Sequence, residues 1–261
     1  MAAIGTQALV LKRIDFRETS VLLDLLTLKL GKVRGVLKGV RNSRSRVSPL
    51  CFNPGSYIFL CVYPRRNSNL MLLHAPQLIQ SFQMEEVKSS GIWQRMLRMV
   101  NLFLPEQERN EEILRLLLES GKAIKQGAFP AVVYLWFKMK MVVLLGYGLE
   151  LDRCLFCRKN KGSFYISTRL GGIVCPRCGL SDSSAMRISP AMLRVMRSME
   201  RISAKHITVI KMVPAQILEN VNFVLNLVLH YHSDPGYIWW QDEKNIFKTC
   251  GNTGRKSGGS N

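Results

Sequence analysis

Two C-x2-C pairs, Cys154 with Cys157 and Cys175 with Cys178, are separated by 17 residues and constrain this chain more than any other feature. Two residues between thiols let one tight turn aim both sulfurs at one point. Two such turns complete a tetrahedral thiolate site, the arrangement Zn2+ favours. Arg153, Arg158 and Lys159 flank the first pair, and Arg177 lies inside the second. Positive charge beside a thiol favours the thiolate a metal needs. The spacing therefore predicts one structural Zn2+ on Cys154, Cys157, Cys175 and Cys178. Two disulfides, or four buried thiols, are the competing readings of the same residues. A site filled by cysteine keeps no coordination position for a substrate, so the metal expected here is not catalytic.

The chain has 261 residues, 47% of them hydrophobic, which suits a globular protein of more than one domain. Outside the two pairs lie Cys51, Cys61 and Cys250. This cysteine usage fits a reducing cytoplasm better than a disulfide framework. The opening MAAIGTQALV lacks a basic stretch and a long apolar core, so no secretory signal is expected. The longest apolar run, residues 131–147, carries Lys138 and Lys140 at its middle. A membrane span needs about 18 or more apolar residues, so this run reads as a buried core helix. A cytoplasmic protein is expected, with no membrane partner.

Thirty-seven Lys and Arg face 18 Asp and Glu, a net charge of +19. Residues 1–80 alone hold 12 cations and 3 anions, whereas residues 81–149 hold 9 and 7. The first third is the electrostatic centre, and a polyanion is the natural partner, nucleic acid being the commonest. An anionic membrane surface is the weaker alternative, because no basic amphipathic helix or lipidation motif supports it.

Five runs in residues 1–82 read as strands: TQALVLKRI, SVLLDLLTL, KVRGVLKGV, SYIFLCVY and NLMLLHA. Gly31, Pro54, Gly55, Asn67 and Asn69 punctuate them, and the set suggests a small barrel or sandwich. In the third run Val33, Gly35 and Leu37 are expected to face in, with Arg34 and Lys38 facing out. Helical spacing takes over in residues 84–104, 109–125 and 129–147. Ser189-Pro190 reads as a helix start, and Pro214 opens a last helix running to His230. The expected class is α+β. Its parts are a barrel at 1–82, a helical domain at 83–150, a four-cysteine motif at 151–182, further helices at 183–248 and a Gly/Ser-rich disordered tail at 249–261.

The run from Lys38 to Arg46, KGVRNSRSR, is the strongest surface candidate. A basic loop on a strand platform can follow a phosphate backbone. Lys38, Arg41, Arg44 and Arg46 are the expected nucleic-acid contacts, extended by Lys32 and Arg34. An ordinary solvated loop is the competing reading. Tyr57, Phe59 and Tyr63 alternate on one strand face, where they would stack on bases or fill the core equally well. The four histidines, His74, His206, His230 and His232, have no ligand-spaced partner and read as structural. No enzyme is expected. There is no H-x-E ahead of the cysteines as a deaminase needs, and no H-E-x-x-H or G-x-S-x-G. The tail segment GNTGRKS approaches a phosphate loop, but Arg255 stands where glycine must precede Lys256.

The order of these parts resembles the RecO family of bacterial recombination mediators. The carrying segments are Ala8-Leu-Val-Leu-Lys-Arg-Ile-Asp15 with Glu18-Thr-Ser20, then Gly31-Lys-Val33, Lys38-Gly-Val-Arg41 and residues 144–154, LLGYGLELDRC. The resemblance covers residues 1–180 well and the C-terminal helices by general character. It implies an OB-fold N-terminal β-barrel, an α-helical domain and an inserted zinc motif, with no enzyme activity. It further implies binding of single- and double-stranded DNA, annealing of complementary strands, and docking of the acidic C-terminal tail of single-stranded-DNA-binding protein. With RecR, such proteins help load RecA onto coated single strands. The alternative from another class is a zinc-ribbon RNA- or protein-binding factor of the transcription or translation machinery.

Overall fold

In the computed structural model, residues 2–65, 68–180, 182–208, 210, 213–231 and 246 are described. They fall into two compact units, one ending at Lys125 and the other beginning at Gln126. Among the described residues no helix is long and apolar enough to cross a membrane. The expected tail 249–261, with Cys250 and the GNTGRKS segment, and His232 and Asn67 lie outside the described residues.

The first unit is built on five strands: β1 (Ile4–Phe16), β2 (Ser20–Thr27), β3 (Gly31–Leu37), β4 (Ser56–Arg65) and β5 (Ser68–Ser81). They close into a barrel in the order β1-β2-β3-β5-β4. All pairings are antiparallel except β3 with β5, which run parallel from Arg34↔Leu70 to Leu37↔Leu73. This is the five-stranded OB-type arrangement. Alternating residues meet inside: Ala8 and Val10, Val21, Leu23 and Leu25, Val33 and Leu37, Ile58, Leu60 and Val62. The third strand faces as its sequence predicts, with Arg34 and Lys38 outward.

Two helices complete this unit, α1 (Val87–Phe103) and α2 (Glu111–Lys125). Helix α1 packs on β1, whose outward Leu9 is fully buried beside its cross-strand partner Leu26. Two glycines record how closely the helical segment approaches the barrel. Gly31 has φ +69°, and a Cβ there would lie 2.1 Å from the Glu108 carbonyl oxygen. Gly55 has φ +86°, and its Cβ would lie 2.2 Å from Trp93 Nε1 of α1. Any side chain at either place meets both left-handed backbone strain and an overlap.

A polar clamp joins α1 to β2 and β3. Asp24 and Arg34 are directly paired in the β2–β3 register. The Arg34 guanidinium donates from Nε and Nη2 to the two Asp24 oxygens at 2.6 and 3.0 Å. Asn101 of α1 donates to Asp24 Oδ2 at 3.0 Å, while Lys32 Nζ donates to the Asn101 carbonyl at 2.8 Å. Burial pushes the Asp24 carboxyl up, but the hydrogen bonds from Arg34 and Asn101 and the charges of Arg34 and Lys12 outweigh it and hold it below the usual range.

The second unit opens on α3 (Pro130–Leu144), the predicted core helix. Then come β6 (Phe164–Ser167), β7 (Gly172–Val174), the short α4 (Pro176–Gly179), β8 (Met186–Ile188), α5 (Pro190–Arg201), the short α6 (Ala204–Ile207) and α7 (Ala215–Tyr231). Helix α3 packs against α5 and α7. Its Lys138 is fully buried, donating to Asn222 Oδ1 and Asn226 Oδ1 of α7 at 2.6 and 2.5 Å, with the Tyr134 ring 4.6 Å away. A buried ammonium requires such acceptors. Lys140 donates to the Glu200 carbonyl, and Trp136 Nε1 to the Ile202 carbonyl at 3.0 Å. These two lysines thus serve an internal helix, as the sequence predicts. The α5 start is also as expected, with Ser189 Oγ accepting from the Met192 amide at 3.1 Å.

The depressed Asp24 value sets a pH dependence. Such a group stabilises the fold above the ordinary carboxylate value of about 3.9, and the gain disappears as pH falls through the lower folded value. Asp24→Asn is expected to lower stability at pH 7 by about 1–3 kcal/mol. The gap to the native chain should close below about pH 4. Urea unfolding between pH 3 and 8 measures both, and coincident curves throughout would refute the clamp.

Candidate metal centre and basic surface

The cysteine segment folds as a ribbon. β6 pairs antiparallel with β7 and with β8, giving the order β7-β6-β8. The first knuckle lies against this sheet, with the Leu155 amide donating to the Ile173 carbonyl at 2.9 Å. Each knuckle closes on itself: the Arg158 amide reaches the Cys154 carbonyl at 3.0 Å, and the Cys178 amide reaches that of Cys175 at 3.1 Å. The turn chemistry that the C-x2-C spacing demands is therefore present in both halves.

The four sulfurs of Cys154, Cys157, Cys175 and Cys178 all lie within 4.8 Å of one another. Cys157 Sγ and Cys175 Sγ are 3.7 Å apart. Sulfurs about 2.3 Å from a tetrahedral metal sit about 3.8 Å from each other, so the spacing fits a metal ion. Cys154 and Cys175 are buried, Cys178 is half-buried and Cys157 is exposed. Burial pushes the Cys154 thiol up, but hydrogen bonds from the Cys175, Cys157 and Phe156 amides bring it down to about 6. The Cys178 thiol is pushed up to about 12, first by its hydrogen bond with Cys175 and then by burial and the other two thiols. Four thiolates repel one another at this range, and a dication is the partner that lets all four ionise together. The site can hold a metal ion with no position left over.

Helix α5 ties the ribbon down. Arg197 donates from Nε and Nη2 to the Leu151 carbonyl at 2.8 and 2.5 Å. Arg201 Nη2 contacts both Asp152 oxygens, at 2.7 and 2.8 Å. At the far side Asp182 accepts from Ser167 Oγ at 2.5 Å and Ser184 Oγ at 2.6 Å. Those hydrogen bonds hold its carboxyl down at about 2. Of the cations expected beside the sulfurs, Arg153 and Arg158 turn to Glu150, at 3.7 and 3.9 Å.

On the barrel, the loop after β3 is fixed at its base. Val40 is buried in the barrel core, and the Arg41 amide donates to the Thr19 carbonyl at 2.8 Å. The Arg41 side chain reaches the Arg17 carbonyl at 3.2 Å and Asp15 at 3.3 Å. Asn42 then nucleates a turn, its Oδ1 accepting from the Arg44 amide at 3.0 Å. Lys38, Arg44 and Arg46 project from this frame, and among the described residues none of their side chains has a hydrogen-bond or acidic partner. The six expected nucleic-acid contacts thus divide. Lys38, Arg44 and Arg46 are open cations, Arg41 is tied back, and Lys32 and Arg34 belong to the α1 clamp, though the Arg34 side chain remains 44% exposed.

The β4 aromatics face outward, because Ile58, Leu60 and Val62 take the inner positions. Phe59 is 39% exposed, and the Tyr57 hydroxyl donates to Gln7 Oε1 at 2.7 Å. His74 meets Tyr63 edge-on at 6.4 Å, and His206 Nδ1 lies 3.0 Å from Ser203 Oγ. The roles of Asp24, Asn101, Asn222 and Asn226 went unseen in the sequence. A lone acid in the apolar run SVLLDLLTL was the available signal for Asp24.

Comparison with known proteins agrees with this architecture. The family described as "Recombination protein O N terminal" matches residues 1–82, and "Recombination protein O C terminal" matches residues 84–236. A protein named "DNA repair protein RecO" from Bacillus pumilus is 24% identical over 245 residues, covering 92% of each chain. One of the same name from Caldicellulosiruptor bescii is 31% identical over 182 residues, 68% of this chain and 73% of that one. Another, from Bacillus subtilis, is 28% identical over 195 residues, 73% of this chain and 74% of that one. With its OB-type barrel, helices and cysteine ribbon in this order, the chain belongs to the RecO family of DNA repair proteins.

Proposed function

We propose that this protein is a DNA-binding recombination mediator that anneals complementary strands. In this reading it joins RecR in loading RecA onto single strands coated by single-stranded-DNA-binding protein, whose acidic tail it docks. The observation that carries the reading is the set of open cations Lys38, Arg44 and Arg46 on the OB-type barrel of a chain with net charge +19. Phosphate-facing point charges hold a strand without reading its bases. Outward Phe59 and Tyr63 on β4 offer rings on which bases can stack. Annealing brings two polyanions together, and a basic surface lowers their repulsion. The ion in the ribbon is Zn2+ by donor chemistry, since four thiolates in tetrahedral spacing suit it. Its role is structural, and the protein acts in the cytoplasm, associated with the nucleoid.

Reversal of the barrel cations, K38E/R44E/R46E, is expected to weaken binding of a single-stranded oligonucleotide. Each lost phosphate contact should reduce the slope of log K against log salt by about 0.7. Isotherms that match the native chain across a salt series would defeat the assignment. Cys157→Ser is expected to release the metal and lower the melting temperature while a folded barrel still binds DNA. Metal analysis, calorimetry and the same binding assay test this together; a metal-free variant that keeps its native melting temperature yet loses all DNA binding would refute the structural role.

A further inference from the structure

The second unit contains a cleft of about 630 Å3 between the cysteine ribbon and α5. Its size falls in the range of about 300–1,000 Å3 typical of clefts that enclose a small ligand. Asn160, Gly162 and Ser163 form one wall. Phe164 of β6, Ile188 of β8 and Leu193 of α5, all buried, make an apolar floor. Three arginines, Arg187, Arg194 and Arg197, are among the residues that line it, and no Asp or Glu is. Arg197 is committed to the Leu151 carbonyl. Arg187 and Arg194 are exposed, and among the described residues neither side chain has a hydrogen-bond or acidic partner. The Lys159 side chain runs along the rim beside Gly162.

We propose that this cleft is a second binding site for single-stranded nucleic acid, with phosphates on Arg187 and Arg194 and a base against the apolar floor. The proposal rests on the annealing function above and extends it to the strand the barrel does not hold. Planar guanidinium groups match phosphate oxygens in pairs, and they stay charged at any working pH. An apolar floor accepts any base, because every base has a π-face, so the site carries no sequence preference. Two cations above such a floor, in a cleft lacking acid, suit the charge of a sugar–phosphate strand.

The test uses the full chain and a fluorescent oligothymidylate, titrated from 50 to 300 mM salt, beside an annealing assay with complementary oligonucleotides. R187E/R194E should lower the salt slope by about 1.4, two contacts at about 0.7 each, and slow annealing by about tenfold. R187Q/R194Q replaces it if charge reversal lowers the melting temperature. K88E/R115E, at two exposed positions outside both sites, controls for net charge. Unchanged slope and annealing in the cleft pair, with both lowered in K38E/R44E/R46E, would overturn the proposal and leave the proposed function standing. An equal loss in K88E/R115E would also overturn it. So would a cleft pair that keeps the DNA slope but loses binding of a fluorescent aspartate-rich peptide. If neither the cleft pair nor the barrel triple departs from the native chain, the annealing function itself falls, and the cleft with it.

Discussion

The scarcity of carboxylates governs how this molecule is held together. With 37 cations and 18 anions, at least 19 Lys and Arg have no carboxylate of their own. The acids are accordingly shared and placed where chain segments must meet. Asp24 binds Arg34 and Asn101 across two strands and a helix. Asp15 serves Arg13 at 3.0 Å and Arg41 at 3.3 Å. Asp152 serves Arg197 at 3.4 Å and Arg201 at 2.7 Å. Glu150 faces both Arg153 and Arg158. Exposed pairs of this kind contribute little singly. The buried Asp24 is different, since removing one partner would leave a charge without compensation. This distribution sorts the cations: some are held by an acid, some, like Lys138, by amide or carbonyl oxygens inside the fold, and the rest face solvent.

The same sorting bears on the proposed function. A cation already neutralised by a carboxylate releases no counterion when it meets a phosphate, so its contribution to affinity is small. Lys38, Arg44 and Arg46 on the barrel loop, and Arg187 and Arg194 at the ribbon cleft, are free of that cost. Sequence runs alone do not separate the two kinds. Lys32 and Arg34 are as basic as Lys38, yet the β2–β3 register places Arg34 beside Asp24, and Lys32 donates to the Asn101 carbonyl of α1.

How much could be read from the sequence follows from where each constraint acts. Strand alternation and C-x2-C spacing are local, so the five barrel strands and the four-sulfur cluster were legible. Residues 131–147 were legible as a core helix because the apolar run is short for a bilayer span and carries two lysines at its middle. Their partners were not, because Asn222 and Asn226 stand 84 and 88 residues beyond Lys138. The outward turn of Tyr57, Phe59 and Tyr63 was undecidable for a related reason. Period-two alternation says that they share a face, but only closure of the barrel decides which face is inside. The ribbon cleft assembles from a loop, two strands and a helix, so no single segment announces it.

The four-cysteine cluster and the cleft share structural elements. Arg197 and Arg201 hold residues 151 and 152 just ahead of the first knuckle, and Arg194 stands one turn earlier on the same helix. On the other wall, β6 carries Phe164 into the cleft and pairs with β7, which leads directly into Cys175. A metal that fixes Cys154 against Cys175 therefore fixes β7, and through it the sheet on which the cleft floor rests. If the cleft binds as proposed, a four-thiolate centre would shape that surface without touching what binds there.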